Sequence, residues 1–164
     1  MAEHSDAVMF REATHEDFAA ISRLITSQEE LLLAFPTAAF PLTVKKLRYT
    51  VEKRLDLTVA TIGGTVIGFA NLYDLTPGQR VFIGNVIVKK TCRGRGIGRD
   101  LLGYMLDRVF TVHELPQARI SVFAHNEPAL SLYRRLGFQV FAEEQRETPS
   151  GHRLRLLHML LNRD

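Results

Sequence analysis

The sequence predicts an α+β (mixed α/β) fold in a single domain covering 1–164, and three observations carry that expectation. Stretches whose apolar residues alternate every second position are interleaved with stretches of helical period. In chain order they read β-α-α-β-β-β-α-β-α-β-β, a mixed-sheet layout. The 164 residues amount to about one domain at the usual size of ~150.

Each element has a local reason. Residues 8–13 have the alternation of a first strand. Thr14 follows with Asp17 three residues on, and Phe18, Ala19, Ile21, Leu24 and Ile25 then recur at helical spacing, as in a capped amphipathic helix. Residues 31–41 are apolar and irregular, because Pro36 and Pro41 prevent one helix from running through them. Thr43 caps a second helix that passes Leu47 and Val51 and ends near Arg54. Residues 57–62 and 66–72 flank Gly63-Gly64 as a hairpin, since paired glycines suit a turn of positive φ. After the turn at Thr76-Pro77-Gly78, residues 81–88 form an almost unbroken apolar strand, as a central buried position requires. Ile97, Leu101, Leu102, Met105, Leu106, Val109 and Phe110 make a third helical stripe. Residues 119–124 read as a strand, and Asn126 caps a short helix over 127–136 that Gly137 ends. Residues 138–142 and 153–161 form a last hairpin around Pro149-Ser150-Gly151.

Composition narrows the class. With 46% hydrophobic and 24% charged residues, the chain is not disordered, collagen-like or a coiled coil. Cys92 is the one cysteine, which rules out an intrachain disulfide and a cysteine-based zinc site. Met1 to Asp6 are polar and acidic, unlike a signal peptide, and no apolar run approaches the roughly 18 residues of a membrane span. The expected location is the reduced cytoplasm, with no membrane partner. The net charge of +3 and pI near 9.2 invite a nucleic-acid reading. Yet the excess is local: residues 89–99 hold Lys89, Lys90, Arg93, Arg95 and Arg99 and no acidic residue, and no basic stripe is interleaved with aromatics. The expectation is therefore no nucleic-acid partner.

That basic segment lies where an apolar strand runs into a glycine-rich turn and then a helix. Glycines at alternate positions let successive backbone N–H groups converge, and the helix N-terminus adds about half a positive charge. The result is a receptor for phosphate oxygens. A Walker loop is excluded because Gly98 is followed by Arg99 and Asp100 rather than Lys and a hydroxyl. A dinucleotide fingerprint fails in both registers, since its last glycine would fall on Arg99 or Leu101. What fits is Arg-x-x-Gly-x-Gly, realised as Arg93-Gly94-Arg95-Gly96-Ile97-Gly98. Downstream, Asn126, Ala129, Tyr133, Gly137 and Phe138 make an Asn-x-x-Ala-x-x-x-Tyr…Gly-Phe pattern. Both motifs, with the element order over 8–161, resemble the GNAT superfamily of acetyl-CoA-dependent N-acetyltransferases.

The resemblance implies a central twisted, mostly antiparallel sheet of about six to seven strands flanked by about four helices. It implies acetyl-CoA as co-substrate, no metal, and transfer of the acetyl group to a primary amine by direct attack in a ternary complex. The strand before the loop would splay from its neighbour, so that Val86 and Val88, with Ile87 between them, meet the pantetheine arm. The amides of Gly94, Arg95, Gly96, Ile97, Gly98 and Arg99 would hold the pyrophosphate, with the Arg93 and Arg95 side chains nearby. Asn126 would reach the pantetheine arm, cap its helix, or do both. The Val88 N–H would face the developing oxyanion, and Tyr133 would protonate the departing thiolate. Packing of Tyr133 beside Leu132 and Leu136 is the alternative reading of that residue.

The base and the acceptor are less defined. A lysine-like amine is neutral in only about 1 molecule in 2,500 at pH 7, so deprotonation matters. Many members of the superfamily carry a Glu near the end of the strand, where this sequence has Ile83-Gly84-Asn85-Val86. Asn85 orienting a water, Asp74, His125 and a water chain stay open as routes. An acyl-Cys92 intermediate finds no support from a histidine with an orienting partner, and the six histidines show no ligand spacing. The acceptor would meet residues 31–41, where Phe35 and Phe40 line a pocket or pack the helices, and the turn over 143–152, where Glu143, Glu144 and Glu147 attract a cation or are merely solvated. A small-molecule amine is the leading acceptor. A protein or peptide amine is the enzymatic alternative, and a non-catalytic acetyl-CoA sensor the other; a homodimer stays open.

Overall fold

The computed structural model describes residues 7–164, so Met1 to Asp6 lie outside it. Strand β1 (Val8–Glu12) ends at a reciprocal cap, in which the Thr14 N–H donates to Asp17 Oδ2 at 2.8 Å. Arg11 grips the same carboxylate through two N–H groups at 2.7 and 2.8 Å. That grip holds the Asp17 carboxyl down to about 2, against the upward push of burial. A 3₁₀ turn (His15–Asp17) leads into α1 (Phe18–Arg23).

The first part of the stretch expected to be irregular is helical. Helix α2 (Gln28–Ala34) starts at Ser27, whose hydroxyl accepts from the Glu30 N–H at 3.1 Å, and it stops ahead of Pro36. The prolines end this helix rather than forbid it, which raises the α-helices to five among the described residues. Helix α3 (Val44–Val51) is capped by Thr43, as expected, and stops short of Arg54.

Strands β2 (Leu55–Ile62), β3 (Thr65–Thr76) and β4 (Arg80–Val88) form a meander, with Gly63 and Gly64 at positive φ in its first turn. Helix α4 (Ile97–Asp107) passes into a π turn (Arg108–Val112) instead of running regularly to Phe110. Then come β5 (Gln117–Phe123), α5 (Glu127–Arg135) and the hairpin of β6 (Gln139–Glu147) and β7 (Arg153–Asn162).

The seven strands make one sheet in the order β1-β2-β3-β4-β5-β7-β6. Every pairing is antiparallel except β4 with β5. One face packs on α4 and α5 through Leu101, Leu102, Met105, Ile83, Ile120 and Met159. The other face carries α1 to α3 over Val59, Phe69 and Ile87, and that cluster includes no residue of β5, β6 or β7. Among the described residues, the second face therefore carries no packed helix over its β5-β7-β6 half. No helix among the described residues is long and apolar enough to cross a membrane.

The central parallel pair is incomplete. Its register runs from Arg80 opposite Gln117 to Ile83 opposite Ile120 and stops there, although β4 continues to Val88 and β5 to Phe123. The expected splay of the strand before the loop is thus present. It coincides with a bulge against β3, between the Asn71–Gly84 and Phe69–Ile87 pairs, where Asn85 takes φ 50°. Side chains hold that uncommon backbone: Asn85 Nδ2 donates to the Ala34 carbonyl at 2.7 Å, and Asn85 Oδ1 accepts from Asn71 Nδ2 at 2.9 Å.

Candidate active site

A cleft of about 1250 Å³ follows the gap between β4 and β5 and extends to both faces of the sheet. Alternation along β4 determines which backbone groups it receives. The Lys89 N–H donates to Ile67 O at 2.7 Å, so Lys89 and Ile87 face β3, and the Val86 and Val88 amides face the gap. The Val88 carbonyl is taken, accepting from Arg93 Nε at 3.0 Å, while its N–H is not.

Beyond Val88 a 3₁₀ turn (Lys90–Cys92) delivers the glycine loop to the start of α4. Gly96 caps that helix at φ 79°, a left-handed conformation in which a β-carbon is strained. Gly98 sits under Leu132 of α5 and Val88 of β4, which brings helix and strand together at the loop. Gly94, Gly96, Ile97, Gly98 and Arg99 line the cleft, and Arg95 does not. Arg93 lines the cleft beside the loop as well. Its guanidinium pairs with Glu30 of α2, so it ties the loop to that helix. Burial pushes the Glu30 carboxyl up, but hydrogen bonds from the Thr26 backbone and hydroxyl, with Arg93, hold it below the ordinary range.

On the α5 side, Asn126 occupies the N-cap position, but its side chain makes no cap hydrogen bond; it lines the cleft instead. Tyr133 lies about two turns beyond Asn126 on this helix, buried beside the Phe138 ring at 6.1 Å and lining the same cleft. Burial alone drives its hydroxyl well above the usual tyrosine range, so it stays protonated.

The opposite face departs most from expectation. Phe35 is packed in the helical core and also lines the cleft, whereas Phe40 is 41% exposed and outside it. Glu143 is held by Arg155 at 2.7 and 2.9 Å, and Glu144 by Arg146 at 3.0 Å; neither they nor Glu147 line the cleft. The same hairpin contributes Arg146 and His158 instead. Asp74, His125 and Asn85 line the cleft, with one N–H and one lone pair of the Asn85 amide engaged in the bulge. Cys92 reaches the cleft, but no imidazole among the described residues hydrogen-bonds to it, and Arg93 is turned toward Glu30.

Residues without a sequence motif complete this face. Gly84 lacks a side chain where a β-carbon would meet the Tyr73 ring at 2.5 Å and Arg54 Nη1 at 2.6 Å. Arg54 therefore lies directly on β4 at the gap, its guanidinium 4.2 Å from the Tyr73 ring centre and donating to Asn71 Oδ1 at 3.1 Å. It has no carboxylate partner among the described residues. Burial pulls the Arg54 guanidinium down and pushes the Tyr73 hydroxyl up. Ser121 and His158 stand beside them, with Ser121 Oγ and His158 Nδ1 2.7 Å apart.

Comparison with known proteins agrees with this geometry. The model of the acetyltransferase (GNAT) family matches residues 15–138. A spermine/spermidine N(1)-acetyltransferase of Bacillus subtilis is 26% identical over 144 residues, covering 84% of this chain and 91% of the relative. Among solved structures, a spermidine N-acetyltransferase from Vibrio cholerae in complex with CoA and spermine superposes with a TM-score of 0.80 at 18% identity, over 94% of this chain and 95% of that one. The ribosomal-protein-S18-alanine N-acetyltransferase from Escherichia coli does so with a TM-score of 0.74 at 22% identity, over 95% and 94%. These structural neighbours share the fold while their names point to different acceptors.

Proposed function

The chain belongs to the acetyltransferase (GNAT) family, and from that premise we propose that it moves the acetyl group of acetyl-CoA onto the primary amine of a small molecule by direct attack. One observation carries this reading. The unpaired amides of Val86 and Val88, the loop at Gly96, and the hydroxyl-bearing Tyr133 all open into the cleft at the strand gap. In this reading the pantetheine arm lies along Val86 to Val88 and reaches Asn126, and the loop amides take the pyrophosphate. The Val88 N–H meets the oxygen of the tetrahedral intermediate. Tyr133, kept protonated by burial, gives its proton to the CoA thiolate.

Within the amine class, Arg54 favours an acceptor that also carries an anionic group, such as a carboxylate. A half-buried guanidinium without a counter-ion attracts such a group and repels a polycation. The test is release of free CoA from acetyl-CoA against a panel of amino acids, polyamines, neutral amines and peptides. Turnover of a small amine is expected, with the carboxylate-bearing members ahead of spermidine. Binding of acetyl-CoA without turnover on any member would identify a sensor, and turnover on peptides alone a protein acetyltransferase.

A further inference from the structure

The acetyl transfer proposed above needs a proton acceptor on the amine side. The strand before the loop has no carboxylate there, and Asn85, which is tied into the bulge, carries an amide that does not accept a proton. The register of the sheet locates a different group. Ile83 opposite Ile120 is the last rung of the β4–β5 pair, so Ser121 is the first β5 residue beyond the fork. Ile120 and Val122 point into the core under α4 and α5, which turns Ser121 to the opposite, helix-free face. His158 is directly across from Ser121 on β7, and its neighbours Leu157 and Met159 likewise point into that core. Tyr133 belongs to the core face. The hydroxyl of Tyr133 and the Ser121–His158 pair therefore flank one gap from its two sides.

We propose that Ser121 and His158 form the proton relay of the acceptor side, a role that rests on the acetyltransferase reading. Ser121 Oγ contacts the incoming amine, and His158 Nδ1, 2.7 Å behind it, receives the proton. The relay requires the imidazole tautomer with its hydrogen on Nε2. Glu144 Oε1 favours that tautomer, standing 3.5 Å from Nε2 where it also offsets the imidazolium charge. The rings of Phe82 and Phe141 flank the imidazole at 6.4 and 6.2 Å and limit its orientation. The charged and titratable groups around the pair are Glu144 and Arg146 of β6, Tyr73 and Asp74 of β3, Arg119 of β5, and Arg54 beyond α3.

The steps balance. An N–H bond of the ammonium breaks, its proton goes to Ser121 Oγ, and the serine proton goes to His158 Nδ1. The freed lone pair forms the N–C bond to the thioester carbonyl. The C–S bond then breaks, with the sulfur taking the Tyr133 proton, and the second nitrogen proton restores Tyr133. One proton ends on CoA and one leaves through His158 to solvent.

The experiment compares H158Q and S121A with the unsubstituted protein, using an alkylamine and a weakly basic amine that is already neutral at pH 7. With the alkylamine, kcat should fall about 100-fold in each variant, the acid limb of the pH profile should move up toward the pKa of the amine in H158Q, and KM for acetyl-CoA should hold. The weakly basic amine should lose no more than about threefold, because its proton is already gone. Removing both side chains should cost no more than removing one. Equal losses for the two amines, unchanged kcat, losses that multiply, or an acetyl group trapped on Ser121 would each overturn the relay. A parent protein that turns over no amine at all fails the acetyltransferase reading instead, and is told apart by that control.

Discussion

The two sides of the cleft are built by opposite means. The side we propose for the cofactor comes from two contiguous segments, β4 with its loop and the start of α4, and helix α5. It offers mostly backbone: amides facing a gap, and a helix N-terminus capped by a left-handed glycine. The acceptor side takes Arg54, Tyr73, Ser121 and His158 from four separate places and offers side chains. A backbone site needs particular residues at fixed short spacing, and it leaves a motif. A side-chain site needs only that distant strands turn the same face, and it leaves none.

The largest expected effect probes the shared point of the two sides. Y133F removes the proposed acid and should lower kcat about 100-fold while the Kd for CoA stays level. An unchanged rate would leave Tyr133 as packing only. On the cofactor side, G96V forces a β-branched residue to φ 79°. At a strain of about 2 kcal/mol, calorimetry should show CoA affinity reduced about 30-fold; full affinity would mean that the loop is not the phosphate site. On the acceptor side, R54Q should raise KM about tenfold for carboxylate-bearing amines and leave neutral amines alone. A uniform rise would reduce Arg54 to a support for Tyr73.

The smallest effect is a control outside both sides. The Asp17 carboxyl is held at about 2, below its ordinary 3.8, so its contribution is complete above pH 3.8 and is lost as pH falls through 2. Discounted for the half-exposed Arg11, D17N should cost about 1–2 kcal/mol in denaturant melts at pH 7. The difference from the parent should vanish near pH 2, with catalysis at pH 7 untouched. A gap that persists in acid would mean that the Arg11 contact is not its source.

Legibility in the sequence follows the same division. The alternation of 81–88, the Gly63-Gly64 turn and the stripe from Ile97 to Met105 reappear as β4, a hairpin and α4. Helix α2 has a sequence signal in Ser27 with Glu30 three residues on, of which the structure realises one half: the Ser27 hydroxyl accepts from the Glu30 N–H, while the Glu30 carboxylate accepts from the Thr26 N–H. Asn85 stood at the right place in the chain, but its work is to hold a positive φ, which requires the Ala34 carbonyl from a helix 51 residues away. Glu143 and Glu144 look like a cation trap in one dimension, and arginine partners cancel that charge: Arg155 across the hairpin for Glu143, and Arg146 two residues along the same strand for Glu144. Ser121 and His158 carry no spacing rule at all; only the β5–β7 register makes them neighbours.

The fork at Ile83 and Ile120 leaves the sheet one strand short over its last rungs. The Val86 and Val88 amides face the gap, and the pantetheine arm proposed to lie along them would act as a temporary strand. On that proposal an occupant of this gap would work as a folding cofactor as well as a reactant. The melting temperature should climb with the logarithm of ligand concentration, and the amides beside the gap should exchange their hydrogens slowly only while it is filled.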